Sequence, residues 1–422
     1  MNAIAILLSS LLILSLAAYS LPFSGGQSAL SPAEQSIRLA NQSIEKDPKN
    51  YETYNGLAMA LARRAREISD VSYYIKAEEA LERSFAIKPD NFDGLKAKTW
   101  ILLGKHEFAQ ALESAKMLNK RAPDDVLVYG FLADANVELG NYGDAEKAVQ
   151  WMLDLRPGNL PGLTRAAYLR ELFGDVDGAI ELMEMAYQST ASSELEDRAW
   201  ILTQIAHLRI SRGELQAAES SLQQALQLFP GYHYALGQLA NLRIVQGQFT
   251  EAAALEQQRY QSAPHAENLY ALAEALEMAG HSSEAKQAFA QFEQKSIAES
   301  GRSDNSNHEL TFYFVDYVHN PTEALRVAQL EFSRRRDVHT LDAYAWALDA
   351  NGNYEEARKQ IAAALQVGIK DAQMLYHAGV IAAHCKDRAA AERYWASSAD
   401  LKSRGSDKSR LALASLEMKR PQ

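Results

Sequence analysis

VLVYGFLADANVELGNYGDAEKAVQWMLDLRP, residues Val126 to Pro157, is the stretch whose reading decides the fold. Tyr129, Leu132 and Ala133 mark the apolar positions of one helical pattern, and Ala145, Val149 and Met152 those of a second. Gly140, Asn141 and Tyr142 form the turn between them, and Pro157 stops the second helix. The unit reads as a helical hairpin. The same hairpin recurs up and down the chain, so the period comes before any single residue.

Counted at the small residue where the two helices cross, the equivalents of Ala145 are Ala77, Ala111, Ala179, Ala218, Ala252, Ala285, Ala324, Ala357 and Ala390. In chain order the steps are 34, 34, 34, 39, 34, 33, 39, 33 and 33 residues. Two further marks hold this frame. A glycine stands five residues earlier at Gly140, Gly174, Gly213, Gly247, Gly280 and Gly352, and a proline twelve residues later at Pro89, Pro123, Pro157, Pro230 and Pro264. The glycine takes the left-handed conformation that ends a helix, and the proline, lacking an N–H, stops the next one. Alanine lets the two backbones approach closely.

This frame resembles the tetratricopeptide repeat, whose signature positions fall on Tyr129, Leu132, Ala133, Asn136, Ala145, Val149, Met152 and Pro157. Asn136 replaces that family's usual aromatic and Met152 its usual alanine. The resemblance covers roughly residues 32 to 402, and within the family it is to exported bacterial-type members. It implies an all-α, right-handed superhelical solenoid of about ten helix-turn-helix repeats with capping helices at both ends. Each hairpin is then expected to bury its apolar face on its neighbours alone.

Composition narrows the partners. Over 422 residues the net charge of −11 argues against nucleic acid or an anionic membrane surface, both of which need a basic footprint. The single cysteine, Cys385, excludes internal disulfides and any multi-thiolate metal site. Neither a Gly-rich phosphate loop, a GxSxG elbow nor an HExxH pair occurs, so no catalytic residue, metal or cofactor is expected.

Taken in order, residues 1-20 read as an export signal with a cut after Ser20, or as a retained membrane anchor through residues 3-21. Residues 21-31 form a tether. Ser31, Pro32 and Glu34 then give an N-cap, a first-turn proline and a capping-box acid for a lone cap helix. About seven extra residues around Arg66 to Tyr73 are expected to project as a lengthened turn. Gly104 sits two places early, which moves that hairpin's turn to His106. Polar insertions at 189-196 and 296-307 divide the array into 32-195, 196-303 and 304-402, with a cap and tail over 403-422.

In the repeat family the first helix of each hairpin lines a concave groove. Carried over by position, the groove residues expected here are Trp100, Asp134, Tyr168, Trp200, Thr203, His207, Tyr234, Asn241, Tyr270, Glu274 and Trp346. Asn55, Met59, Lys96, Gly130, Thr164, Gly237 and Asp342 belong to the same surface. Rigid rings beside short polar groups suit a protein or peptide partner. The carboxylates Asp134, Glu274, Glu277 and Asp342 point to a basic or amine-bearing ligand. The family's basic clamp for a peptide carboxyl terminus is absent.

His377, His384 and Cys385 share a helical face, but seven residues span about 10.5 Å of rise, too far for one ion. Arg334, Arg335 and Arg336 beside Asp337 read as a solvated helix end. The functional expectation is a non-catalytic, exported or envelope-associated scaffold that binds a protein or peptide in its groove. The alternative is a structural spacer or self-associating solenoid anchored at the membrane by its N-terminus.

Overall fold

The computed structural model describes residues 30–401. The export or anchor segment, most of the tether and the cap expected over 403-422 lie outside the described residues. At the first described helix, α1 (Pro32–Lys46), the capping box forms: Glu34 N donates to Ser31 Oγ at 3.2 Å, and Ser31 N donates to the Glu34 carboxylate at 2.8 Å. Ten hairpins follow. The first five pair α2 (Tyr51–Ile68) with α3 (Ser72–Ile87), α4 (Phe92–Gly104) with α5 (Phe108–Arg121), α6 (Val126–Glu138) with α7 (Tyr142–Leu155), α8 (Leu160–Leu172) with α9 (Val176–Ser189), and α10 (Leu195–Ser211) with α11 (Leu215–Leu228). The other five pair α12 (His233–Val245) with α13 (Phe249–Ser262), α14 (Ala266–Met278) with α15 (Ser282–Glu299), α16 (Asn307–Asp316) with α17 (Pro321–Phe332), α18 (Val338–Ala350) with α19 (Tyr354–Gln366), and α20 (Ala372–His384) with α21 (Arg388–Asp400).

The two helices of a hairpin bury themselves differently. In α6, Val128, Phe131, Ala133, Ala135 and Val137 are all buried, on every side of the helix, because it is sandwiched between its own partner and the neighbouring hairpins. Its partner α7 buries only the stripe Ala145, Ala148, Val149 and Met152. Met152, larger than the family's usual alanine, fills the space left by Gly130, where a Cβ would stand 3.3 Å from Met152 Cε. Asn136, in place of an aromatic, is buried, and its side chain accepts a hydrogen bond from Asn141 in the turn at 3.2 Å.

The frame read from the sequence holds at the crossings. The nine alanines from Ala77 to Ala357 are each 0% exposed. The last one shifts: Ala391 is 1% exposed and Ala390 7%, and Asp387 caps this helix through Ala390 N, so the crossing residue is Ala391. All six turn glycines have φ between +74° and +80°, and His106, His319 and Lys386 take the same left-handed conformation where the glycine is missing.

The extra residues of the first hairpin do not project as a lengthened turn. They extend both helices, so α2 runs 18 residues and α3 16, leaving a tight turn at Ser69 with φ +50°. Apolar packing also continues through both insertions. One cluster joins Leu163 and Met183 to Ile201 and Leu208, and another joins Phe289 and Phe292 to Leu310 and Phe314.

Burial on sequence neighbours alone is incomplete. Tyr142 Oη accepts from Val338 N at 2.9 Å and Glu107 accepts from Ser303 Oγ at 2.8 Å, both across 196 residues. Arg336 N donates to Glu138 O at 2.8 Å. The superhelix therefore closes on itself. The turns α4–α5, α6–α7 and α8–α9 of one superhelical turn sit on the connections α15–α16, α17–α18 and α19–α20 of the next. This seam is apolar as well as polar: Ala133, Val137, Leu169 and Leu172 share a buried cluster with Val338, Leu348, Ile361 and Met374.

Arg334 and Arg335 are held by protein groups at this seam, which corrects their reading as a solvated helix end, while the Arg336 side chain stays exposed. Arg334 donates to the carbonyls of Ser300 at 3.2 Å and Gly301 at 2.8 Å, and Arg335 stands between Glu331, Asp337 and Glu138 at 3.0, 3.5 and 3.4 Å. Burial pushes the Glu138 carboxyl from 4.5 up to about 8, helped by Asp337 and opposed by Arg335. The folded value lies above the unfolded one, so this stabilisation is complete below about pH 4.5 and is lost as pH rises through about 8. Glu138→Gln is expected to match the parent in thermal midpoint near pH 4.5 and to exceed it above pH 8. A constant difference across that range would remove Glu138 as the titrating group.

Candidate binding groove

The residues carried over by position fall into three columns, with Trp200 and Tyr234 forming the third. Trp100, Asp134, Tyr168, His207, Asn241, Glu274 and Trp346 hold one register position on the first helices α4 to α14 and on α18, and every one is partly accessible. Thr203 and Tyr270 stand four residues earlier in the repeat and do not reach the groove. Thr203 is 1% exposed and turns its hydroxyl back to Ala199 O at 2.8 Å. Tyr270 is 7% exposed and packs inside its own hairpin against Phe289 and Phe292, with ring centroids at 5.9 and 5.0 Å. Asn55 and Asp342 are likewise buried, bonded to Asn91 at 2.8 Å and His377 at 2.9 Å.

The first helices of five successive hairpins, α2, α4, α6, α8 and α10, face inward around a common space. Arg66, at the far end of the extended α2, closes them into a ring by pairing with Glu196 and, at 3.1 Å, with Asp197 on α10. Tyr232 Oη donates to Glu196 at 2.7 Å, and the Arg66 carbonyl accepts from His233 Nε2 at 3.1 Å. The enclosed cavity has a volume of about 500 Å³. Met59, Trp100, Asp134, Thr164, Tyr168 and Trp200 line it together with Leu127, Phe131 and Leu160. A second space of about 250 Å³ adjoins it through Asp134, Arg165 and Tyr168. The larger of the two accommodates a small ligand or a few residues of chain, within the ~300–1,000 Å³ typical of binding pockets.

Charge in the cavity is largely matched internally. Arg165 donates to both oxygens of Asp134, at 2.7 and 2.5 Å, a forked geometry that a lysine does not reproduce. Glu171 meets His207 Nε2 at 2.6 Å. Burial opposes the charge on each member of that pair, and their mutual attraction wins, holding the His207 pKa above and the Glu171 pKa below the ordinary value. Burial also pushes the Tyr168 phenol well up, with Glu138 and Asp337 adding to it.

The carboxylates that pointed to an amine-bearing ligand are thus engaged. Asp134 and Asp342 have the partners just described, and Glu274 accepts from Tyr317 Oη at 3.3 Å. Glu277 is exposed and accepts from Ser282 Oγ at 3.4 Å. Tyr234 packs tilted against His233 with ring centroids at 3.9 Å, away from the cavity lining, and Trp346 donates to Asp316 at 3.0 Å and stacks on His377 at 4.2 Å. Sequence reading missed Arg63, Arg66, Phe131 and Arg165. The helical spacing Met59, Arg63, Arg66 places these three on one face, but a lengthened turn expected around Arg66 to Tyr73 takes Arg66 off that helix.

His377 and His384 each face a carboxylate of the preceding hairpin, Asp342 and Asp349, both at 2.9 Å. Among the described residues no three metal-ligating side chains converge. Cys385 lies at the end of α20, its thiol against Tyr354 O at 3.5 Å.

Family models described as tetratricopeptide repeat match residues 132–194, 209–259 and 343–407. Among solved structures, the human IFIT1 dimer with m7Gppp-AAAA is 13% identical, with 86% of this chain and 84% of that one covered and a TM-score of 0.51. A monomeric mutant of IFIT1 with Gppp-AAAA is 15% identical over 86% of this chain and 85% of that one, also at 0.51. The APC/C hetero-tetramer Cut9-Hcn1 is 13% identical at a TM-score of 0.47, over 82% of this chain, which spans 58% of the length of that one. No curated protein matches. At these identities the likeness is one of fold.

Proposed function

From a chain that is a tetratricopeptide-repeat protein, we propose a non-catalytic scaffold that holds a short segment of a protein or peptide partner in the ring of its first five hairpins. The observation that carries this reading is the cavity of about 500 Å³ walled by Trp100, Phe131, Tyr168 and Trp200. Trp100, Tyr168 and Trp200 keep exposed surface over the buried Phe131, and such rings backed by packed helices are the groups that dominate binding energy when a partner covers them. In affinity capture with the full chain, Trp200→Ala is expected to weaken the groove partner by about 2 kcal/mol, with the helical signal unchanged. Partners retained at full strength by both Trp100→Ala and Trp200→Ala would remove the cavity as the site.

An exported or envelope location belongs to the same proposal and rests on the apolar run at residues 3-19 followed by small residues to Ser20. N-terminal sequencing of the protein from its native source tests it. A mature chain beginning at Leu21 fits export with cleavage, and an intact membrane-bound chain fits the anchor. Among the described residues no helix is long and apolar enough to cross a membrane.

One observation favours a second reading, self-association through the convex face. Met117, Trp151 and Met185 are 62, 53 and 50% exposed at the same register position of α5, α7 and α9. A mass that rises with concentration in the parent and not in Trp151→Glu would assign contacts to that face.

A further inference from the structure

The polar groups of the cavity divide by what they have left to offer. Its carboxylates are committed: Asp134 to Arg165, Glu171 to His207 and Asp197 to Arg66. Its uncommitted groups are mainly donors. Arg63 lines the cavity, is exposed, and forms no ion pair with the described residues. Arg66 Nε is buried without an acceptor. The indole N–H groups of Trp100 and Trp200 and the phenol of Tyr168 make no hydrogen bond to the described protein.

Arg63, the two indoles and the Tyr168 phenol open on the cavity, so a ligand that brings an acceptor exchanges their water for a hydrogen bond, worth most when the donor is charged. An amine would meet neutralised carboxylates and the Arg63 charge. A carboxylate would meet Arg63, which offers a guanidinium fork, beside rings that take an apolar group. We propose that the cavity selects a peptide segment in which an aromatic or aliphatic residue stands next to an aspartate or glutamate. This rests on the cavity being the binding site, and reverses the amine preference drawn from the carboxylate count.

Two fluorescent probes with a shared apolar frame separate the two ideas: 1-anilinonaphthalene-8-sulfonate, which is anionic, and N-phenyl-1-naphthylamine, which is neutral. With the full chain, the sulfonate is expected to bind roughly tenfold more tightly, the scale of one charge-assisted hydrogen bond. Arg63→Gln should remove most of that advantage and leave the neutral probe unchanged. A blocked Phe-Glu peptide should displace the sulfonate, and the matching Phe-Lys peptide should not.

Equal affinity of the two probes, or an unchanged ratio in Arg63→Gln, overturns the charge preference while leaving the cavity as a site. Binding of both probes unaffected by Trp200→Ala overturns the cavity itself. Displacement by dodecanoate but by neither peptide overturns the peptide assignment in favour of a small amphipathic acid. Arg63 forms no ion pair with the described residues, so an unchanged thermal midpoint in Arg63→Gln is expected alongside.

Discussion

Gly174→Ala is expected to destabilise the protein about 2–5 kcal/mol, and Gly247→Ala only about 1–2 kcal/mol, although the two glycines occupy the same place in the repeat. Their backbones are nearly identical, with φ +79° and +74°. An alanine at either position carries the cost of a left-handed residue with a Cβ. The difference lies outside the hairpin. A Cβ on Gly247 meets nothing within 4 Å, whereas one on Gly174 stands 2.5 Å from Gly368 O on the next superhelical turn. That oxygen belongs to backbone, so relief requires the two turns to move apart. Gly140, whose Cβ would stand 2.7 Å from Arg336 O, should follow Gly174, and Gly280 should follow Gly247. Urea unfolding of the four variants measures this, and equal costs across them would mean that the seam yields freely.

Arg335→Met is expected to cost about 3–5 kcal/mol, the range for leaving buried charge without its partner. The guanidinium is held among Glu138, Glu331 and Asp337, all largely buried. Burial opposes ionisation of Asp337, and Arg335 together with His339 and the Thr340 hydrogen bonds more than offsets it, holding that carboxyl below the ordinary range. A methionine keeps much of the volume and leaves the acids facing one another. Arg326→Met is the control. Its pair with Glu323 is 2.8 Å long, with the two side chains 50 and 39% exposed, and its loss should cost within about 0.5 kcal/mol. Thermal or urea unfolding of both variants decides the matter, and a cost below about 1 kcal/mol for Arg335→Met would show that water reaches the cluster.

The hairpin, its period and its punctuation follow from the amino-acid pattern alone. Those are local properties: an alanine at a helix crossing, a glycine at positive φ and a proline two residues past a helix end act within one repeat whatever surrounds it. His106 was legible as a turn for the same reason. One column of groove residues was legible too, since Trp100, Asp134 and Tyr168 inherit their direction from the helical period. The extension of α2 was not, because seven additional residues satisfy a longer helix as readily as a longer loop.

What the superhelical pitch brings together emerges first in the folded chain. A pitch of 196 residues sets Tyr142 against Val338 and buries Arg335, although a run of three arginines looks solvated in isolation. The extended α2 carries Arg66 across to Glu196 and turns an open groove into a cavity. The pairing of Asp134 with Arg165 likewise depends on the rotation between neighbouring hairpins. Small rotations summed over as many as six hairpins set these distances, and no single repeat encodes the sum.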